Sequence, residues 1–388
     1  MQGGGRVSRS RQTPLKSGKK NRTVLRNWLV LLAVVALVVG GYFVLLGRRS
    51  TTDISVSQLP CNARQDVTPF GDSVLYYDDN TLYCLSGNGS VRWSENLGPG
   101  RRFSVSGSSI VAWYGSDLTV LNRNGASSYK DNLGQEVQFA RAGSRYFAAA
   151  VGTETSANLI IRSLDGTPVD EESEAFANML LLDTGFYGDN DQYLWTLSLD
   201  MYGTAINTVM NTFQVGKMNT GVVNLGEFLA YKVLFENNRL RVFTTQQMYT
   251  YDYKAVPNMS GTMLVYGWQL VDWYQPDRGG AYMLLAPTSQ ISGTGSSTQL
   301  TELRVLNDSR DRRYHLPSAC VGAAIRGKNI YAFSGEYVYV ADVDTQRFHG
   351  YRLPMPDGVR VTSLLGLTSD GRAVLACNDA VYTATLPK

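Results

Sequence analysis

The residue types that most often carry metal, redox or nucleophilic chemistry are sparse in this 388-residue chain. There are two histidines, His315 and His349, and four cysteines, Cys61, Cys84, Cys320 and Cys377. A zinc site needs three or four such ligands at short spacings, and neither a C-x-x-C pair nor a paired histidine occurs. There is no G-x-S-x-G elbow, no phosphate-cradling glycine loop opening a helix, and no H-E-x-x-H. Ser127 and Lys130 spell S-x-x-K, a pair that works only when one helical turn brings the amine to the hydroxyl, and this segment reads as a strand. Asp78-Asp79-Asn80 and Asp189-Asn190-Asp191 invite a calcium reading, but EF-hand spacing is absent and both triplets suit hairpin turns. No catalytic residue, metal ligand or cofactor site is therefore assigned. The cysteines admit two disulfides in three pairings, or buried free thiols, and both readings stay open.

Binding chemistry is better represented. Tyr266, Trp268, Trp273 and Tyr274 cluster just before Pro276 and form the candidate partner-binding aromatic patch. Trp and Tyr dominate interaction hot spots because they bury large areas at low entropy cost. The same residues also suit packing within strands, where large aromatics commonly lie.

The elements that must position these residues come from a repeat. Residues 82–98 read LYCLSGNGSVRWSENLG, and thirty-six positions later residues 118–134 read LTVLNRNGASSYKDNLG. Each copy is an apolar strand, an Asn-Gly turn (Asn88-Gly89, Asn124-Gly125), and a second strand ending on an aromatic and Leu-Gly. Asn-Gly relieves the steric cost of positive φ at both turn centres and is the strongest short-range hairpin signal. A period near forty residues made of hairpins predicts an all-β propeller with one blade per repeat. The pattern continues with decaying clarity through segments 137–177, 179–227, 228–266, 268–317 and 320–354. The last segment, 359–388, supplies three strands, and the orphan strand 54–60 completes its blade, pairing beside Val381-Tyr382-Thr383-Ala384-Thr385. Eight blades result; seven remain open if 179–266 is divided differently. Residues 248–254 alternate aromatic and polar side chains and read as a half-buried strand. The Ser/Thr/Gly-rich stretch 287–299 reads as a flexible hairpin loop on one face of the ring.

L-Y-x-L-x-x-x-G-x-x-x-W, carried by Leu82, Tyr83, Leu85, Gly89 and Trp93, resembles the tryptophan-docking repeat of quinoprotein-type (PQQ-like) β-propellers. That family includes quinone-dependent dehydrogenases and also non-catalytic scaffolds. Its dehydrogenases imply an adjacent cysteine pair and a calcium-binding Glu/Asn/Asp set. No two cysteines are adjacent here, so the catalytic part of the resemblance does not carry over and no cofactor is expected. The layout is similar to single-pass, membrane-anchored, non-quinone propellers of Gram-positive bacteria.

That layout is read from charge. No acid precedes Asp53, whereas Arg6, Arg9, Arg11, Lys16, Lys19, Lys20, Arg22 and Arg26 make the N-terminal stretch strongly basic. Residues 28–47, WLVLLAVVALVVGGYFVLLG, contain no charge and at 1.5 Å rise span about 30 Å, the thickness of a bilayer core. The run exceeds a signal-peptide core and lacks a small-residue cleavage site, so an uncleaved anchor is expected. Basic residues favour the cytoplasmic side of a span. The expected organisation is a basic cytoplasmic tail (1–27), a transmembrane helix (28–47), a juxtamembrane linker with the ring-closing strand (48–60), and an extracellular propeller (61–388) at the cell membrane. The body beyond the tail is mildly acidic, which excludes a phosphate-seeking basic face and argues against nucleic acid as a partner. The expected function is a non-catalytic protein-interaction or scaffold module of the cell envelope. Its expected partners are membrane lipid through the anchor and an envelope protein or peptide. The alternative is an envelope enzyme or sensor that binds a small ligand or glycan at the propeller centre.

Overall fold

The computed structural model describes residues 54–387 except 277–278 and 292–297. The expected tail and membrane span, and the middle of the Ser/Thr/Gly-rich loop, lie outside the described residues. Among those described, no helix is long and apolar enough to cross a membrane.

Among the described residues, thirty-two strands form eight four-stranded antiparallel sheets, the eight blades of a β-propeller. Blades 1 to 7 are each one continuous stretch: 68–96, 102–132, 137–172, 179–226, 230–264, 268–320 and 322–352. Blade 8 combines 363–385 with the N-terminal strand Val56–Asn62, which pairs antiparallel with Ala380–Thr385 as expected (Val56 opposite Ala384, Gln58 opposite Tyr382). Naming the strands of each blade A to D from the innermost outward, A–B and C–D connections lie at one end of the ring and B–C and blade-to-blade connections at the other.

Eight buried apolar clusters hold the ring, one in each seam between neighbouring blades. Tyr77, Leu82 and Cys84 meet Ile110 and Leu121 between blades 1 and 2. Leu59 and Val374 meet Val74 and Leu85 between blades 8 and 1. The middle strands are therefore covered on both faces and read as near-continuous apolar runs, as in Ser73–Asp78 and Ser109–Tyr114. This corrects the half-buried reading of 248–254. Thr250 in strand Gln247–Asp252 is buried like Met248, and its hydroxyl is satisfied there by a hydrogen bond from Arg241 Nη1 at 2.6 Å.

The repeated motif works at the seams. Trp93 Nε1 donates to Arg123 O at 3.1 Å, and its ring lies under Gly125 of the next blade's C–D turn. A Cβ there would meet the ring at 2.5 Å, and φ is +81°, so the turn requires glycine twice over. Tyr129 occupies the same place under Gly166. Elsewhere other chemistry fills the position: Asp170 accepts the Gly216 N–H (3.1 Å), Tyr314 donates to Val343 O (2.7 Å), and Leu59 of the closing strand packs under Gly89.

Candidate functional site

The A strands surround the ring's centre. Five of them carry a β-bulge, including Leu270/Asp272 in blade 6 and Leu364/Gly366 in blade 8, and bulges re-aim side chains where a strand borders a site. At the centre is a cavity of about 830 Å³, bordered by the A strands of blades 6, 7 and 8, by Pro69 of the blade 1 A strand, by the turn residues Gly71 and Gly107, and by Ile291, Thr298 and Leu300 of blade 6. Its walls are mainly apolar, with Val271, Trp273, Ala323, Leu364, Leu365 and Leu367. The charged residues among its lining are Asp272 and Arg326, and both are occupied. Asp272 Oδ2 accepts the Ile325 N–H at 2.8 Å, and burial pushes its carboxyl above the ordinary value. Arg326 donates to the carbonyls of Thr368 (2.8 Å) and Ser369.

The aromatic quartet does not form one patch. Tyr266 is 72 % exposed on the blade 5–6 connection. Trp268 is buried in the seam between blades 5 and 6, with the Arg304 and Arg313 guanidiniums 5.8 and 5.3 Å from its ring centre. Trp273 is 36 % exposed and borders the central cavity, as does the half-buried Tyr274. Five residues of strand, about 16 Å, separate the two tryptophans. Trp268 is thus a packing residue, and the other three face two different surroundings.

The two ends of the ring differ in chemistry. Ion pairs crowd the A–B/C–D end. The Asp72 carboxylate accepts from Arg92 (2.8 Å) and Arg123 (3.0 Å), and these guanidiniums hold it well below the usual carboxylate range. Asp344 pairs with Arg310 and Lys328. Between blades 5 and 6 a buried set joins Glu236 Oε1 to Arg239 and Arg241, both at 2.9 Å, and both arginines to Asp308. The side chains of Glu236 and Arg241 are 1 % and 3 % exposed. At the opposite end, blades 4 to 6 present exposed apolar residues instead: Met201, Tyr202 and Ile206 on one B–C loop, and Leu229, Leu264 and Tyr266 at the blade-to-blade connections. The ion pairs of that end, Arg64–Asp379, Arg101–Asp117 and Arg360–Glu336, belong to other blades. Of these six residues, sequence reasoning singled out Tyr266 alone. The sector's signal was the run Met201-Tyr202-Gly203-Thr204-Ala205-Ile206 between two strands.

The remaining candidates lie outside the lining of the central cavity. His315 lies exposed in the middle of the outer strand Arg310–Cys320, and His349 opens the outer strand His349–Arg352. Asp191 accepts the backbone N–H of Arg145 at 2.6 Å, tying the A–B turns of blades 3 and 4. Asp79 sits in a tight turn at φ 49°. Ser128 Oγ, in the S-x-x-K stretch, donates to Leu164 O of the next blade at 2.7 Å, so this strand is not a helix. Among the described residues, no three His, Cys, Asp or Glu side chains are placed to hold a metal. All four cysteines are free thiols, and burial pushes Cys320 to about 12 and Cys377 to about 11.

No protein-family model matches the chain, and no curated protein matches it in sequence. Similar solved structures include BamB from Moraxella catarrhalis (12 % identity, TM-score 0.48, covering 86 % of this chain and 98 % of that one). Apo AztD from Citrobacter koseri is 10 % identical at TM-score 0.48, covering 75 % of this chain and 86 % of that one. The Neurospora crassa Pan2 WD40 domain is 10 % identical at TM-score 0.46, covering 84 % and 90 %.

Proposed function

We propose that this chain is a non-catalytic protein-interaction module, a membrane-anchored propeller of the cell envelope that docks an envelope protein or peptide. The observation that carries the reading is the apolar sector of blades 4 to 6, where six exposed large side chains share the B–C end of the ring. Several large apolar side chains exposed at one end of a fold mark a surface that a partner can cover. Membrane anchoring and an extracellular location rest on the uncharged run 28–47 and its basic N-terminal flank.

The test is site-specific photocrosslinking in cells. A photoreactive phenylalanine at position 202 or 266 is expected to capture a discrete protein adduct, and one at Val91, exposed at the opposite end, is not. Absence of adducts from both 202 and 266, or equal capture from 91, refutes the reading. Protease added to intact cells should digest the propeller and leave the mature N-terminus near Met1. An enzyme acting at the centre is the second reading, and the largely apolar described lining of the cavity favours binding there.

A further inference from the structure

We infer that the apolar sector of blades 4 to 6 docks a positively charged polypeptide segment. Apolar side chains of that segment rest on Tyr202 and Ile206, and its lysines or arginines meet the acidic loops beside them. The inference rests on the interaction-module reading and names the chemistry of the partner. Its first support is a gap in the charge pattern. From Ser163 to Gly216 the sequence holds nine acids and no lysine or arginine. Four of these acids come to the B–C end of the ring: Glu171 and Glu172, which close the outer strand of blade 3, Glu174 and Asp200. Glu154 and Glu227 join them from the loops on either side. The loops and connections of this end from blade 3 to blade 6, residues 154–155, 173–178, 201–206, 227–229, 245–246 and 265–267, carry no lysine or arginine. The base nearest to them in sequence is Lys232, on the inner strand of blade 5.

The second support is the state of those carboxylates. At the opposite end Asp72, Asp308 and Asp344 are each held by two cations. Among the described residues none of the six carboxylates of this arc is in an ion pair, and the ion pairs of the B–C end belong to other blades. Glu154, Glu171, Glu174 and Glu227 are exposed, and Glu172 and Asp200 are half-buried. Their negative charge is therefore left for a partner to meet. The third support is the way charge and apolar surface alternate. Asp200 Oδ1 accepts the Tyr202 N–H at 3.0 Å at the start of the apolar loop, and Glu227 stands two residues before the exposed Leu229. An apolar contact with a polar rim is the anatomy of a protein interface, and the sign of the rim selects the sign of the partner. The same negative field disfavours a phosphate backbone.

The experiment titrates the purified full chain with acetyl-Lys-Leu-Lys-Tyr-Lys-Leu-Lys-amide by calorimetry. Saturable binding is expected, at least tenfold tighter than that of the same peptide with glutamate in place of every lysine. It should weaken at least tenfold when Glu154→Gln, Glu174→Gln, Asp200→Asn and Glu227→Gln are combined, which removes charge and keeps volume. The pair Tyr202→Ser and Ile206→Ser should cost as much, and Glu95→Gln on the outer strand of blade 1 should change nothing. Because the carboxylates are exposed or half-buried, raising salt from about 50 to about 300 mM should weaken binding at least fivefold. If the neutralised variant fails to fold, the salt series and the glutamate peptide read the same charge dependence on the parent chain. No binding at about 1 mM basic peptide, equal binding of the glutamate peptide, or equal binding by either multiple variant overturns the inference. Photocrosslinks from positions 202 and 266 that persist in that event leave the interaction-module reading standing. Their loss would remove both.

Discussion

Replacing Glu236 by glutamine tests whether the blade 5–6 seam depends on its buried charges. Glu236 ends the A strand of blade 5. One of its oxygens accepts from both Arg239 and Arg241 at 2.9 Å, and the other accepts from the Ala281 N–H and the Asn237 amide, each at 3.2 Å. Glu236→Gln keeps the volume but removes the charge, leaving two guanidiniums to share Asp308, whose side chain is 43 % exposed. Breaking a buried pair by removing one partner costs about 3–5 kcal/mol. Asp308 still compensates Arg241, so about 3 kcal/mol is the expected loss. With about 2.1 cal/mol/K of unfolding entropy per residue, a propeller of this size has about 0.7 kcal/mol/K, and the midpoint should fall by about 4 °C. Differential scanning calorimetry of the purified chain measures it. The deficit should persist in 0.5 M salt, since burial removes the pair from screening. The double replacement Glu236→Met with Arg241→Met should cost less than either change alone, because no uncompensated buried charge remains. A Glu236→Gln midpoint within a degree of the parent, or a deficit that vanishes in salt, refutes the reasoning.

Gly125→Ala should destabilise more than Gly134→Ala, by an additional ~1–3 kcal/mol; both glycines have positive φ, but only the first would drive a Cβ into Trp93, and equal midpoints would remove the docking argument. Leu59→Ala should cost about 2–5 kcal/mol and favour self-association through a loosened blade 8 edge, read by denaturant unfolding and light scattering; a monodisperse variant of parental stability would show that the closing strand contributes little. Asp272 titrates above the ordinary carboxylate value, so its contribution to stability is full below the unfolded value and is lost as pH rises through the folded one. The midpoint of Asp272→Asn relative to the parent should therefore rise as pH increases from below the ordinary carboxylate value, and a flat or falling difference contradicts this. Iodoacetamide without reductant should label the native chain slowly and the unfolded chain at four sites; two sites or none would reveal disulfides instead.

The hairpin repeat was legible where the same residue type does the same job. Blades 1 and 2 keep Asn-Gly turns and an aromatic that docks on the next blade's glycine, and their identity follows from that shared contact. The trace decays because the docking place accepts an aspartate at Asp170 and a leucine at Leu59, which reach the neighbouring turn by different chemistry. The orphan strand was readable because a ring with one three-stranded blade leaves an edge that a strand must fill. The central cavity was not readable. It draws Asp272, Arg326 and Leu365 from three blades, and nothing local to any of them records the others. The arrangement of the aromatic quartet was not readable either, since the strand between Trp268 and Trp273 carries them from a seam to the cavity wall.

The closing strand also has a consequence in time. Ser55 and Thr385 meet across 330 residues, so the last blade cannot be completed until almost the whole chain exists. At about 5–20 residues per second of synthesis, the N-terminal strand waits roughly 17 to 66 s for its partner. Blades 1 to 7 have all four of their own strands in hand as they emerge, while Val56–Asn62 remains a solitary strand with Leu59 uncovered. Biogenesis of this ring thus includes an interval in which its first-made segment is the last to find its place, and holding that segment apart from other strands is a task for the cell rather than for the fold.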